Sequence, residues 1–261
     1  MLLVVNVGNS ETALGVFRNR ELIHHWRMST HPERTADEMA LLFAGFLGQE
    51  GMSFTKEITG VALSSVVPPC TQALREMTQR YFHFDPVVVE PGVRTGISVR
   101  TDNPREVGAD RIANAVAAYA KYGGPAIIVD IGTATTYDVV TEKGEYVGGA
   151  IAPGLRISAE SLFQHTAKLP RVELVAPDSV IGRNTVDAMQ AGLVFGKAAE
   201  IEGLVERIQK ELGGDATVIA TGGWAWLIAP LCSRVDHHEA WLTLEGLRLV
   251  FERNTDSDTD A

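Results

Sequence analysis

Hydrophobic positions along the chain follow two spacings. Short apolar runs closed by turn residues predict strands at 2–7, 12–17 and 21–28, the first two as a hairpin. A mostly apolar run at 58–67 stops at Pro68-Pro69, and Val87-Val88-Val89 predicts another short strand. Between them apolar residues recur at helical intervals. Met39, Leu42, Phe43 and Phe46 follow the capping-box signature Thr35-Ala36-Asp37-Glu38, and Leu74, Met77 and Tyr81 mark a second helix. Residues 95–108 show little periodicity and read as a loop. Ile112, Val116 and Tyr119 then share one face of a helix that stops at Gly123-Gly124.

The second half predicts strands at 126–131 and 136–141 and a turn at Lys143-Gly144. The run Gly148-Gly149-Ala150-Ile151-Ala152-Pro153-Gly154 reads as the lead into a helix over 155–166. A long helix is expected over 185–212, carrying Met189, Leu193, Leu204, Val205 and Ile208. A strand at 217–220 runs into Thr221-Gly222-Gly223 and another helix. The acidic tail, 254–261, reads as a solvated, disordered end.

One phrase occurs twice in this pattern. Leu3-Val4-Val5-Asn6-Val7-Gly8-Asn9-Ser10-Glu11-Thr12 returns as Ile127-Ile128-Val129-Asp130-Ile131-Gly132-Thr133-Ala134-Thr135-Thr136, at an offset of 124 in 261 residues. Both read apolar run, Asn or Asp, apolar residue, glycine, hydroxyl or amide cluster, strand. A repeat near half the chain length predicts two similar domains, 1–115 and 116–261, in an α/β fold.

Composition narrows the class. A hydrophobic content of 45% against 21% charged describes a globular protein with ample core. The formal charge of −10 argues against a nucleic-acid partner, but a small anionic ligand can still be held by local dipoles and a few cations. Cys70 and Cys232 are too few for a disulfide framework and suggest a reducing compartment. No run of 18 apolar residues predicts a membrane span, and the opening residues lack the basic flank of a secretory signal, so the expected location is the cytoplasm.

The two turns are candidate phosphate cradles, because glycine bends bring free backbone N–H groups beside hydroxyl and amide side chains. Either turn alone reads better as an ordinary hairpin. Together, with Thr221-Gly222-Gly223 after a third strand, they favour phosphate. The chain has no Gly-x-x-x-x-Gly-Lys-Ser/Thr and no strand-borne Gly-x-Gly-x-x-Gly. Gly108-Ala109-Asp110-Arg111 supports two readings equally: a helix N-terminal aspartate favoured by the macrodipole, or a general base beside an arginine for an anionic substrate group. Asp130, at the end of a central strand, is costly unless it meets a cation or donors, which favours a cation-associated site. The seven histidines show no metal-ligand spacing.

In this order the motifs resemble the type III pantothenate kinases of the actin-like acetate and sugar kinase superfamily. The resemblance covers nearly the whole chain. It rests on the Val-Gly-Asn-Ser turn, Asn103-Pro104-Arg105-Glu106-Val107-Gly108-Ala109-Asp110-Arg111, the second turn, the run 148–154, Asn184-Thr185 and Thr243-Leu244-Glu245-Gly246-Leu247-Arg248-Leu249. It implies two ribonuclease-H-like (actin-like ATPase) halves with an ATP cleft between them, assembled as a homodimer, and ATP-dependent phosphorylation of pantothenate at the entry to coenzyme A synthesis. Asn6, Val7, Gly8, Asn9, Ser10, Glu11, Thr12 and Ala13 would line the ATP phosphates, with Thr133 from the other half. Asp110 would take the hydroxyl proton, and Thr101, Gly108, Ala109, Asp110, Arg111 and Thr185 would hold pantothenate. Asp130 would bind potassium or ammonium, and Mg2+ would accompany ATP.

Two positions depart from the family pattern. The family has aspartate where this chain has Asn6, and commonly tyrosine where it has Thr101. An amide keeps the shape of a carboxylate but not the charge a hard cation prefers. The rival readings are therefore a non-catalytic nucleotide-binding regulatory homologue and a kinase for another small hydroxylated acid.

Overall fold

The computed structural model describes residues 1–255. In chain order the first half holds β1 (Leu2–Val7), β2 (Glu11–Arg18), β3 (Glu21–Ser29), α1 (Ala36–Gln49), α2 (Phe54–Glu57), β4 (Gly60–Ser65), α3 (Pro68–Phe82), β5 (Val87–Val88), β6 (Ser98–Val99) and α4 (Ala109–Tyr122). The second holds β7 (Ala126–Ile131), β8 (Ala134–Val140), β9 (Glu145–Pro153), α5 (Leu155–Gln164), α6 (Thr185–Leu212), β10 (Thr217–Thr221), α7 (Ala225–Ile228), β11 (His237–His238) and α8 (Leu242–Thr255). Among the described residues no helix is long and apolar enough to cross a membrane.

The local chemistry explains most boundaries. Thr35 Oγ1 accepts from the Glu38 amide while Glu38 Oε2 accepts from the Thr35 amide, so the capping box forms and starts α1. Pro68 and Pro69 end the β4 segment and open α3, where a missing N–H costs nothing. Asn184 Oδ1 accepts from Asp187 N at 2.9 Å to cap α6, and Gly213 in the left-handed region (φ 78°) closes it.

Chain contacts divide the molecule into two units: 1–98 with 102–117 and the chain from Leu242, and 99–101 with 118–241. This differs from a single cut after residue 115. The last helix, α8, returns to the first unit, where Leu244, Leu247 and Val250 are buried and the helix packs on β1, β2 and β4. Burial of such side chains is worth about 1.5–3 kcal/mol each.

The first unit carries a sheet in the order β3-β2-β1-β4-β5, with β1 antiparallel to β2 and parallel to β4. Leu3, Val5 and Val7 of β1 join Met39, Phe43, Leu74 and Met77 of α1 and α3 in one core. The second sheet runs β11-β10-β7-β8-β9-β6, with β7 antiparallel to β8 and parallel to β10. Its core joins Ile127, Val129 and Ile131 to Val194, Ala198, Ile201 and Val205 of α6. Read outward from the central strand, β9-β8-β7-β10-β11 repeats β3-β2-β1-β4-β5, so the repeated phrase marks a repeated sheet.

Three stretches are more ordered than the sequence suggests, although the run 148–154 does lead into the expected helix, α5. The run 148–153 is strand, because its backbone pairs with β8 through Asp138↔Gly149, Tyr137↔Ala150 and Ala134↔Pro153. The loop over 95–108 contains β6 and a 3₁₀ turn at Pro104–Glu106. Asn254 and Thr255 belong to α8, and Asn254 exchanges hydrogen bonds with the Arg94 backbone. The rest of the expected tail, 256–261, lies outside the described residues.

Candidate active site

In the first unit, β1 and β2 meet at the turn that carries Asn6, Val7, Gly8, Asn9, Ser10, Glu11, Thr12 and Ala13. Gly8 N donates to Glu11 O at 2.9 Å to close it. Thr30, just past β3, clasps the bend. Its hydroxyl donates to Gly8 O at 2.8 Å, its amide donates to Ser10 O at 3.1 Å, and Thr12 Oγ1 lies 2.8 Å from Thr30 Oγ1. Because the Thr30 proton goes to Gly8, Thr12 is the donor of that last pair. The Gly8 carbonyl thus faces Thr30, and the planar trans peptide turns the Asn9 N–H to the opposite side. Glu11 is drawn to Arg27 at 2.8 Å. Asn6 is half-buried one residue before the end of β1, and its Oδ1 accepts from Ser64 Oγ on β4 at 2.7 Å.

The same unit holds Gly108, Ala109, Asp110 and Arg111 at the start of α4. The Arg111 amide donates to Asp110 Oδ1 at 2.9 Å. Burial pushes the Asp110 carboxyl above the ordinary carboxylate range, against the opposing pull of the Arg111 amide and guanidinium. A carboxyl with a raised pKa is a stronger base than a solvated aspartate, which suits proton abstraction.

In the second unit, the β7–β8 turn carries Gly132 and Thr133. Gly132 N donates to Ala134 O at 3.0 Å, and Trp224 N donates to Ile131 O at 3.0 Å. The second contact brings the Thr221-Gly222-Gly223 turn against Asp130, which pairs with Thr221 across β7–β10. Gly222 sits at φ 95°, and a Cβ there would lie 2.4 Å from Asp130 Oδ1, so only glycine lets this backbone close around the carboxylate. Among the described residues no three His, Cys, Asp or Glu side chains gather into a metal-holding group. A single carboxylate held against glycine backbone offers one negative charge, which a cation of low charge would fit.

Thr101 and Thr185 complete the expected set, and both lie in the second unit. Thr101 Oγ1 is buried and has no hydrogen-bond partner among the described residues. Such an orphan costs free energy unless something absent from the bare chain satisfies it. Thr185 opens α6 and lines a recess of about 450 Å³ with Leu162, Leu169, Ala188, Met189 and Leu193. Sequence reasoning missed Thr30 and Ser64 as parts of these sites. Ser64, one residue before the end of its strand as Asn6 is in β1, carried a readable signal; Thr30, remote in sequence from the turn it clasps, did not.

Solved structures share this fold. A Baf family protein from Campylobacter jejuni aligns with a TM-score of 0.61 at 18% identity, covering 97% of this chain and 99% of that one. Component A of (R)-2-hydroxyglutaryl-CoA dehydratase from Acidaminococcus fermentans aligns at 0.57 and 13%, covering 98% of each. These likenesses place the chain in a shared α/β fold.

Sequence comparison is more specific. The type III pantothenate kinase family model matches residues 2–207. The type III pantothenate kinase of Moorella thermoacetica is 53% identical over 255 residues, 98% of this chain and all of that protein. That of Streptomyces griseus is 54% identical over 261 residues, 97% of this chain and 98% of that protein. The chain belongs to the type III pantothenate kinase family.

Proposed function

We propose that the two strand–turn–strand units hold the phosphates of MgATP while Asp110 activates the acceptor. The protein is an enzyme that transfers phosphate from ATP to pantothenate. The observation that supports the assignment of residues is the repeated turn, whose carbonyl is held by the Thr30 hydroxyl in one unit and whose carbonyls pack closely against Gly154 in the other. That arrangement leaves N–H groups such as those of Asn9 and Thr133 on the other side, where a phosphate oxygen can accept from them.

Phosphoryl transfer needs mainly alignment and charge stabilisation from the protein. Asp110 takes the proton of the pantothenate hydroxyl, the oxygen attacks the γ-phosphorus, and ADP leaves. Arg111 pairs with the pantothenate carboxylate, while Gly108, Ala109, Thr101 and Thr185 shape the acceptor site. The orphaned Thr101 hydroxyl supports this placement, since a polar acceptor molecule would satisfy it. Asp130 holds potassium or ammonium, which supplies positive charge near the phosphates. Magnesium enters with ATP as part of the substrate. Asn6 leaves it one protein charge fewer than a carboxylate there would.

The homodimer belongs to the same proposal. Ile151, Ile157, Val180, Ile181 and Val186 expose apolar side chains in the second unit, and exposure of this kind supports an interaction surface there.

The test is ATP turnover with pantothenate, magnesium and potassium, in the chain and in Asp110→Asn. Turnover that disappears in the variant while nucleotide binding persists supports the assignment. Nucleotide binding without turnover in the unaltered chain would favour the regulatory homologue, the reading Asn6 supports. ADP formed only with a different hydroxy acid would move the acceptor.

A further inference from the structure

Lys197 of α6 is only 5% exposed. Its ammonium donates to the Pro153 carbonyl at 2.8 Å and to both carboxylate oxygens of Glu200 at 2.8 Å, which uses all three protons. Glu200 Oε1 also accepts from the hydroxyl of Tyr137, a fully buried residue of β8, at 2.8 Å. Burial and the Glu200 carboxylate together push the Tyr137 hydroxyl far above its ordinary pKa, so it stays a donor. A buried ion pair is seldom a net source of stability over apolar side chains of the same size. What this pair does that apolar side chains cannot is hold a carbonyl.

That carbonyl sits at a sensitive place. Pro153 ends β9 opposite Ala134, and the next residue, Gly154, is the N-cap of α5. Gly154 lies directly against the β7–β8 turn: a Cβ on it would fall 2.1 Å from Thr133 O and 2.5 Å from Gly132 O. The backbone at 153–154 is therefore the wall that the turn's carbonyls rest on. With the Gly132 carbonyl set against that wall, the trans peptide points the Thr133 N–H the other way.

We propose that Lys197 is a positioning residue for the second phosphate turn, acting through Pro153 and Gly154. The proposal rests on the reading of Gly132 and Thr133 as ATP contacts. Glu200 neutralises the ammonium, so the effect is one of placement and not of charge on the nucleotide. It falls on ATP and spares pantothenate.

The experiment compares Lys197→Met/Glu200→Gln, which removes the pair without stranding a charge, with Lys197→Arg, Tyr137→Phe and Thr133→Val in the full chain. Steady-state kinetics for both substrates, ATP binding by calorimetry and thermal midpoints are measured for each. The double variant is expected to raise KM for ATP, and Kd for ATP, on the order of tenfold, with KM for pantothenate unchanged. Lys197→Arg should recover most of the loss. Tyr137→Phe breaks the network without touching Pro153, so it should lower the thermal midpoint and leave KM for ATP alone. An ATP effect that follows the thermal midpoint across Tyr137→Phe and the double variant overturns the proposal. If Thr133→Val weakens ATP but the double variant does not, the role of Lys197 fails by itself. If Thr133→Val leaves ATP untouched, the phosphate reading of the turn fails and this proposal with it.

Discussion

Ser64 Oγ donates to Asn6 Oδ1 at 2.7 Å across the parallel pairing of β1 and β4, and the bond decides which way the amide faces. With its oxygen held by a fully buried serine, Asn6 turns its NH₂ group away from Ser64. The equivalent position in the second sheet pairs a carboxylate, Asp130, with the hydroxyl residue Thr221. The first sheet thus keeps the geometry of the second without its charge.

Asn6→Asp should fit without rearrangement, because the Ser64 hydroxyl donates to a carboxylate as readily as to an amide. The expected result is a kcat raised on the order of 10²- to 10³-fold at saturating MgATP, the scale of one preorganised electrostatic contact. Ser64→Ala in the unaltered chain should lower kcat, since it releases the amide from its fixed orientation. Steady-state kinetics over a magnesium series tests both. If Asn6→Asp is no faster than the parent at any magnesium concentration, the missing charge is not limiting.

Asp110 should give two opposed effects in one substitution. Asp110→Asn removes the base and should lower kcat on the order of 10²- to 10⁴-fold. Its effect on stability has the other sign. The folded-state pKa of Asp110 is raised, so the protonated form is favoured by folding; that contribution is complete below the unfolded value and is lost as pH climbs through the raised folded value. Toward neutral pH the half-buried carboxyl therefore contributes less to stability than it does in acid. The asparagine variant should melt above the parent at pH 7, with the gap closing as pH falls below the ordinary aspartate range. Thermal melts across pH 3–8 measure the gap, and the acid limb of kcat/KM should lie above the ordinary aspartate pKa.

The sequence revealed what short-range chemistry controls. The repeated turns were legible because a tight bend between paired strands demands glycine with small polar neighbours. The long α6 was legible because Asn184 and Gly213 cap it. Contacts between distant segments were not. Nothing in the composition of α8 says that Leu244 and Val250 bury against the first sheet and not the second. The strand through 148–153 hid behind its glycines, because ladder pairing with β8, and not propensity, holds it extended. Thr30 and Lys197 reach carbonyls 22 and 44 residues away in sequence respectively, by a hydroxyl and an ammonium that no periodicity marks.

Gly222→Ala should separate the cation site from the rest. The added methyl must enter the space of Asp130 Oδ1 while the backbone stays in the left-handed region. Strain of this kind costs about 1–3 kcal/mol. The variant should melt several degrees lower and show a much weaker response to added potassium, with KM for pantothenate near that of the parent. A potassium titration of kcat is the measurement. An unchanged potassium response in the folded variant would remove Asp130 from cation binding.

Ile181 should control assembly. It is 81% exposed, and its neighbour Val180 is 69% exposed, so both leave large apolar surfaces in water in the single chain. In a two-fold dimer one surface patch meets its own copy, so a charge placed there appears twice and can face itself. Ile181→Asp should therefore convert a dimer into single chains of 28.2 kDa, detected by sedimentation or light scattering. Leu41→Asp is the matched control: Leu41 is 75% exposed but lies on α1 of the first unit, and its substitution should leave the mass unchanged. Because Thr185 opens α6 only four residues after Ile181, the dissociated variant should also show a raised KM for pantothenate. A parent chain already monomeric at micromolar concentration, or an Ile181→Asp variant still dimeric, would place the interface elsewhere.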